Sequence, residues 1–265
     1  MNILLACEES QTTTIELRRL GHNAFSCDIL PCSGGHPEWH IQGDVLKILN
    51  PYCREILTGS TPTPVSASAG HDYDLKMWRG ITFHTMDGKL HNIEGTWDLI
   101  IAHPPCQFLT NTGNRSFNIK KYGVKAIQRH KNRSAAINFF MAIANAECPR
   151  IVIENPIGCI STVWRKPDQI IQPWQFAVSE EEKTKKATCL WLKGVCPLVP
   201  RHIEEPEIEY FEWYDEKAGR WKRQSLWYYR TRHLPEKEKA RAASKTFTGI
   251  ARAMAEQWAG VCANG

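Results

Sequence analysis

The chain has 265 residues, 42% hydrophobic and 23% charged, a mixture ordinary for a globular protein and unlike a collagen, a disordered tail or a membrane bundle. That length suits one large domain, or one domain with a small lobe. Lysine and arginine total 33 against 28 acidic residues, and the formal surplus of +5 permits a polyanionic partner without demanding one.

The first residues, Met1-Asn2-Ile3-Leu4-Leu5, run straight into Cys7-Glu8-Glu9. A secretory signal needs a basic start and a longer apolar stretch, so a cytoplasmic location and reduced cysteines are expected. No run of about 18 apolar residues predicts a membrane span. Asn2–Ala6 reads as a short strand, and Thr13–Leu20 as a helix with Gly21 behind it as a cap. Ala24–Cys27 is a second strand ending at Asp28, and a third ends near Asp44-Val45. Thr58–Gly70 is rich in Ser, Thr, Pro and Gly and reads as a loop. Thr82–Ile93 reads as a hairpin turning at Asp87-Gly88. Trp97–Ala102 is a strongly apolar strand, Ser134–Ala146 an amphipathic helix and Ile151–Ile153 another buried strand. Ile208–Tyr229 reads as a second hairpin turning near Lys217-Ala218-Gly219, and Phe247–Ala259 as the last helix. Strands alternating with helices predict a parallel sheet covered on both faces, with ligands beyond the carboxyl ends of its strands.

The polar residues at those ends carry the candidate chemistry. Cys106 follows Pro104 and Pro105, which fix the backbone, so its thiol sits on a rigid turn suited to a nucleophile. It belongs to a P-C-Q-x-x-T-x-x-G pattern with Gln107, Thr110 and Gly113, and the strand at Ile151–Ile153 ends in Glu154-Asn155-Pro156. Cys27, Cys32, His36 and His40 have residue types that suit zinc, but their spacing is tighter than a common finger, and an ordinary loop after a strand is the favoured reading. Cys189, Cys196 and His202 are a weaker echo of the same pattern, and no metal is expected.

With these motifs the sequence resembles the DNA (cytosine-5) methyltransferases, whose signatures are Pro-Cys-Gln and a Glu-Asn pair at the end of the next core strand. It is most similar to the short methylase-like proteins of phages and prophages, which also carry His-Pro-Pro-Cys, Lys-Lys-x-Thr-Cys-Leu-Trp-Leu and Gly-Ile-Ala-x-Ala-Met-Ala-x-Gln-Trp segments. The resemblance covers roughly residues 2–195 and the final helix. It implies a Rossmann-like class I methyltransferase sheet over 1–195, with 245–262 packing back on it near the cofactor end, and a small target-recognition-like lobe with a hairpin over 196–244. It implies S-adenosylmethionine as cofactor and duplex DNA as partner, with self-modification against restriction as the purpose.

The resemblance assigns Cys106 as the nucleophile at C6 of cytosine and Glu154 as the acid at N3, with Asn155 orienting the loop. Lys186 and Thr188 stand where the family has Gln-x-Arg-x-Arg before a strand, here Cys189–Leu192. Leu5–Thr12, with Cys7, Glu8, Glu9 and Ser10, takes the place of the Gly-rich cofactor loop and contains no glycine; Glu8 or Glu9 is a candidate contact for the cofactor's amino group. Asp28 and Ile29 match the ribose position, Asp44 and Val45 the adenine segment, and Pro104 completes the cofactor set. The target base must leave the helix stack. The loop that closes over it corresponds to Gln107–Arg133, where Gln107, Gly113, Arg115, Lys120, Lys121, Arg129 and Arg133 are candidate DNA contacts, a solvated helix face being the plainer reading of the charges. In the lobe Arg223, Arg230 and Arg232, interleaved with aromatics such as Trp213 and Trp221, are further candidates, against an ordinary aromatic core. Two alternatives stay open: an enzyme acting on a free nucleotide, single-stranded DNA or RNA, and a DNA-binding descendant without catalysis.

Overall fold

Both faces of the first strand are buried. In the computed structural model, which describes residues 1–58 and 74–260, Ile3, Leu4, Leu5 and Ala6 are all fully enclosed. Side chains alternate across a strand, so such a run must lie at the centre of a sheet covered on two sides. The order begins β1 (Asn2–Ala6), α1 (Thr12–Arg19), β2 (Asn23–Asp28), β3 (His40–Gln42). β4 (Tyr52–Thr58), β5 (Asp74–His84), β6 (Leu90–Glu94) and β7 (Leu99–Ala102) follow. Next are α2 (Ile119–Tyr122), α3 (Val124–Ala144), β8 (Ile151–Pro156), α4 (Ile160–Val163), β9 (Gln169–Ile171) and β10 (Thr188–Lys193). The chain continues with β11 (Tyr210–Asp215), β12 (Arg220–Ser225), α5 (Leu226–Arg232), α6 (Glu236–Ser244) and α7 (Thr248–Met254), the last running on as a π-helical turn to Ala259.

Seven strands form the central sheet in the order β3-β2-β1-β7-β8-β10-β9. The molecule is mixed α/β with a mostly parallel sheet: β3, β2, β1, β7 and β8 pair in parallel, while β10 runs antiparallel to both β8 and β9. A parallel sheet was the sequence expectation, and the reversal of β10 at one side of it matters for the site. An antiparallel strand brings its own start to the carboxyl end of its neighbour, so Thr188 pairs with Pro156 just beyond Glu154.

One face of the sheet, with Leu4, Phe25, Ile100 and Ile153, packs on α3 through Phe140 and Ile143. The other, with Ile3, Leu5, Ile101 and Val152, packs on Leu17 of α1 and on Ile250, Met254 and Trp258 of the last helix. That helix thus returns to the sheet, and Glu182 anchors its first turn by accepting the Gly249 N–H. Among the described residues no helix is long and apolar enough to cross a membrane.

Three elements differ from the sequence reading. The helix over Ser134–Ala146 begins ten residues sooner, at Val124, after Gly123 at a φ of 50°. Most of its first two turns are solvent-exposed and polar, so they lack the apolar periodicity that marks a helix in sequence. The second hairpin ends at Ser225, whose hydroxyl accepts the Tyr228 N–H and starts α5 where a strand was expected to continue. The first hairpin turns at Asp87-Gly88 as expected, but β4 joins it to make a three-stranded antiparallel sheet. Of the loop expected over Thr58–Gly70, Thr58 ends β4 and the rest lies outside the described residues.

Candidate active site

The strand order reverses between β1 and β7, and a crevice forms at such a switch point beyond the carboxyl ends of the strands. On its two sides lie the loop after β1 and the turn His103-Pro104-Pro105-Cys106 after β7, joined by the His103 N–H to the Ala6 carbonyl at 2.9 Å.

The loop after β1 makes its bends without glycine. Cys7 and Gln11 both take positive φ values, 61° and 57°, a conformation that costs most residues about 1 kcal/mol or more. Hydrogen bonds hold it. The Cys7 and Glu8 N–H groups donate to the Cys27 carbonyl. Buried Gln11 donates to the His36 carbonyl at 2.8 Å and accepts the His36 N–H at 3.1 Å. The sequence reading assigned Gln11 no role. Glu8 corrects an expectation: its carboxylate is buried and accepts from the Thr13 N–H at 2.6 Å, the Thr14 N–H at 3.2 Å and the Thr14 hydroxyl at 2.7 Å. Those bonds satisfy donors at the start of α1, so Glu8 secures the helix and is not the group turned to a ligand.

Glu9 is placed differently. Its Oε2 is buried with no hydrogen-bond partner, and its Oε1 lies 3.3 Å from Arg241 of α6. Ser10 accepts from the Thr12 hydroxyl at 3.2 Å. Asp28 accepts the Leu30 N–H at 2.9 Å, and burial pushes its carboxyl above the ordinary range. Asp44 accepts the Leu46 N–H at 3.0 Å. Cys7 lies among these acids: burial, then Asp28, Cys27 and Asp44, push its thiol well up, so it stays neutral. Ile29 is 74% exposed, an apolar surface beside Asp28, whereas Val45 is buried in the core. Both ring nitrogens of His40 bond internally, to Ser26 and to the Leu30 carbonyl, and among the described residues no three His, Cys, Asp or Glu side chains converge as metal ligands.

Across the crevice, Cys106 is exposed. Its carbonyl accepts the Leu109 and Thr110 N–H groups, so these bonds close the turn through the backbone. Desolvation and the charge of Glu154 push its thiol up, while Lys186 pulls it down. Glu154 is set in β8, with Oε2 2.7 Å from His103 Nδ1. Burial alone would raise its pKa, but the His103 hydrogen bond and charge, Lys186 and Thr188 together hold it below the usual carboxylate range. Asn155 is buried and donates to the Pro104 carbonyl at 2.8 Å, tying β8 to the turn that carries Cys106. Thr188 donates to the Lys186 carbonyl at 3.1 Å, and the Lys186 ammonium lies over Trp227 and Phe247 at 5.7 and 5.6 Å. Cys106, Glu154, Lys186 and Thr188 therefore converge, with His103 as a further member that the sequence reading left without a role.

A second tie fixes the loop after Cys106. Thr110 and Gly158 form an antiparallel bridge, and the Cys159 N–H donates to the Leu109 carbonyl at 2.8 Å. A Cβ on Gly158 would lie 2.1 Å from that carbonyl oxygen, which is backbone and cannot turn aside. Gly158→Ala is expected to cost about 1–3 kcal/mol and to separate the Cys106 turn from Glu154. Thermal unfolding checks the first, and an altered rate of Cys106 alkylation by iodoacetamide in the residual folded protein checks the second.

The basic run after Cys106 divides in two. Arg115, Lys120 and Lys121 are exposed, as is Gln107. Arg129 and Arg133 turn inward instead of reaching for phosphate. Arg133 donates to the Phe108 carbonyl and to Asn114, both at 2.8 Å, with its guanidinium 3.5 Å from the Phe117 ring centre. Arg129 lies over Phe108 and Phe117 and abuts Gly113. These planar cations fasten the loop to α3 because they stack and donate at once. In the lobe, Phe211 stacks on Tyr229 of α5, so the opposite hairpin face is outward. There Trp221 is 71% and Tyr214 51% exposed beside Arg223, which lies over Tyr210. Arg230 and Arg232 are exposed on α5. A cleft of about 1080 Å³ opens beside Arg230, but Glu180, Glu181, Glu207 and Glu209 line it, a poor match for phosphate.

No family model matches the chain, and no curated protein does either.

Proposed function

We propose that this protein is a DNA (cytosine-5) methyltransferase that uses S-adenosylmethionine. The observation that carries the reading is the convergence of an exposed cysteine, Cys106, with a mostly enclosed carboxyl, Glu154, at the carboxyl edge of a mostly parallel sheet, tied together by Asn155. C5 of cytosine is a poor nucleophile until a thiolate adds at C6. In this reading Cys106 forms that bond, and Glu154 gives a proton to N3 as charge builds on the ring. Lys186 lies close enough to both to favour the thiolate.

The chemistry of the opposite wall fits the cofactor. Glu9 has a buried oxygen without a partner, suited to an ammonium group; Asp28 suits ribose hydroxyls, Ile29 an adenine face and Asp44 its amino group. Bound there, the cofactor would supply the methyl group. Cys7, held neutral by its surroundings, adds no competing nucleophile.

DNA is favoured over a free nucleotide by the exposed cations Arg115, Lys120 and Lys121 in the segment after the turn and Arg223 and Arg232 in the hairpin lobe. The outward Tyr214 and Trp221 add stacking surface beside Arg223. The test is trapping. Duplexes carrying 5-fluorocytosine in varied contexts, mixed with the protein and S-adenosylmethionine, should yield a denaturant-stable adduct seen by mass spectrometry. No adduct on duplex, with one on single strands or a nucleotide, would transfer the same chemistry to those substrates. Neither adduct nor cofactor binding would leave a non-catalytic DNA binder.

A further inference from the structure

The parallel register of β7 and β8 pairs Ala102 with Ile153. The next residue of each chain segment is His103, just past the end of β7, and Glu154, still within β8 and paired with Leu190 of β10. Their contact is 2.7 Å, with side chains only 8% and 16% exposed. The other ring nitrogen, His103 Nε2, is buried with no partner among the described residues, and Nδ1 meets Glu154. The charged groups facing the pair are Glu8 from the loop after β1 and Lys186 from before β10, with the Cys106 thiol facing Glu154.

We propose that His103 stores the proton that Glu154 delivers to the pyrimidine, acting as a positioning residue through Glu154; this rests on the methyltransferase reading above. The Nδ1–H bond of the imidazolium breaks as an O–H bond forms on Glu154, leaving a neutral ring and a neutral carboxyl. That O–H bond then breaks as N–H forms at N3, and its electron pair stays on the carboxylate. The proton lost by His103 is the one gained by the substrate, and it returns by the same path when the thiolate leaves C6.

The electrostatics support the resting state, in which His103 holds the proton and Glu154 is a carboxylate. Burial disfavours the imidazolium, yet the hydrogen bond and charge of Glu154, helped by Glu8 and opposed by Lys186, hold His103 above its ordinary value. Glu154 is correspondingly held as a carboxylate before substrate arrives. Its charge is one cause of the raised Cys106 thiol. Moving the proton onto Glu154 removes that charge, so one shift arms the acid and frees the nucleophile.

The experiment follows the His103 ring nitrogens by NMR in the full-length protein labelled with 15N-histidine, between about pH 5 and 9, without ligand. The midpoint should lie above the ordinary imidazole value of about 6.5 in wild type and below it in Glu154→Gln, where burial acts without its counter-charge. A wild-type midpoint at or below 6.5, or one unmoved by Glu154→Gln, overturns the proposal. The second arm is His103→Asn, which keeps a hydrogen-bond donor but stores no proton. Its kcat for duplex methylation at pH 8 should fall roughly 10- to 100-fold with little change in KM, and the loss should shrink as pH falls and solvent protonates Glu154. A loss equal at every pH would mean that His103 only holds structure, against the proposal. Absence of any fluorocytosine adduct in wild type overturns the methylation reading instead, while the titration still decides whether the pair shares its proton.

Discussion

Cys106→Ser should abolish methyl transfer and leave the protein folded. The thiol sits on an exposed turn whose closing hydrogen bonds, from the Leu109 and Thr110 N–H groups, go to the Cys106 carbonyl and not to its side chain. Serine therefore keeps the turn, and the melting temperature and S-adenosylmethionine affinity should match wild type. A hydroxyl ionises far less readily than a thiol, so addition at C6 stops and kcat should fall on the order of 10⁴-fold or more. Radiolabelled methyl incorporation into duplex DNA, with calorimetric titration of the cofactor, measures both halves. Full incorporation by the serine variant would show that Cys106 is not the nucleophile. Lost activity together with lost cofactor binding would point to a structural defect.

Glu154→Gln should separate two quantities that ordinarily move together. Glutamine cannot give a proton to the ring, so kcat should fall about 10²- to 10⁴-fold. The same change removes a negative charge that now raises the Cys106 pKa, while the opposing Lys186 remains. The thiol should then ionise at lower pH and react faster with iodoacetamide at a fixed neutral pH. A catalytic collapse caused by a disordered site would change alkylation without that pH shift, and unaltered turnover would remove Glu154 from the chemistry. The cofactor side should be untouched, because Glu9, Asp28 and Asp44 lie on the β1–β3 half of the sheet.

Much of this arrangement is legible in the residues. Asn2–Ala6, the strand before His103 and the strand beginning at Ile151 stand out because a strand buried on both faces must be continuously apolar. The Asp87-Gly88 and Lys217–Gly219 turns are marked by local backbone chemistry, with Gly88 and Gly219 at positive φ. Cys106 and Glu154 are visible because catalytic residue types sit at strand ends. Helical residues 124–133 are not visible, since an exposed helix face carries no apolar period.

What the sequence by itself determined was which segments are buried and which polar residues stand at their ends, because both follow from local patterning. Only the tertiary structure decided which of those residues meet. The reversal of β10 brings Lys186 and Thr188 to Glu154, and the β7–β8 register sets His103 against the same carboxylate. Glu8 and Glu9 are adjacent in the chain, yet Glu8 anchors the start of α1 while Glu9 pairs with Arg241 of α6, a contact far along the chain. Contacts between residues fifty positions apart depend on chain reversal and register. No local pattern encodes either, so a histidine beside two prolines gives no sign of the acid it will touch.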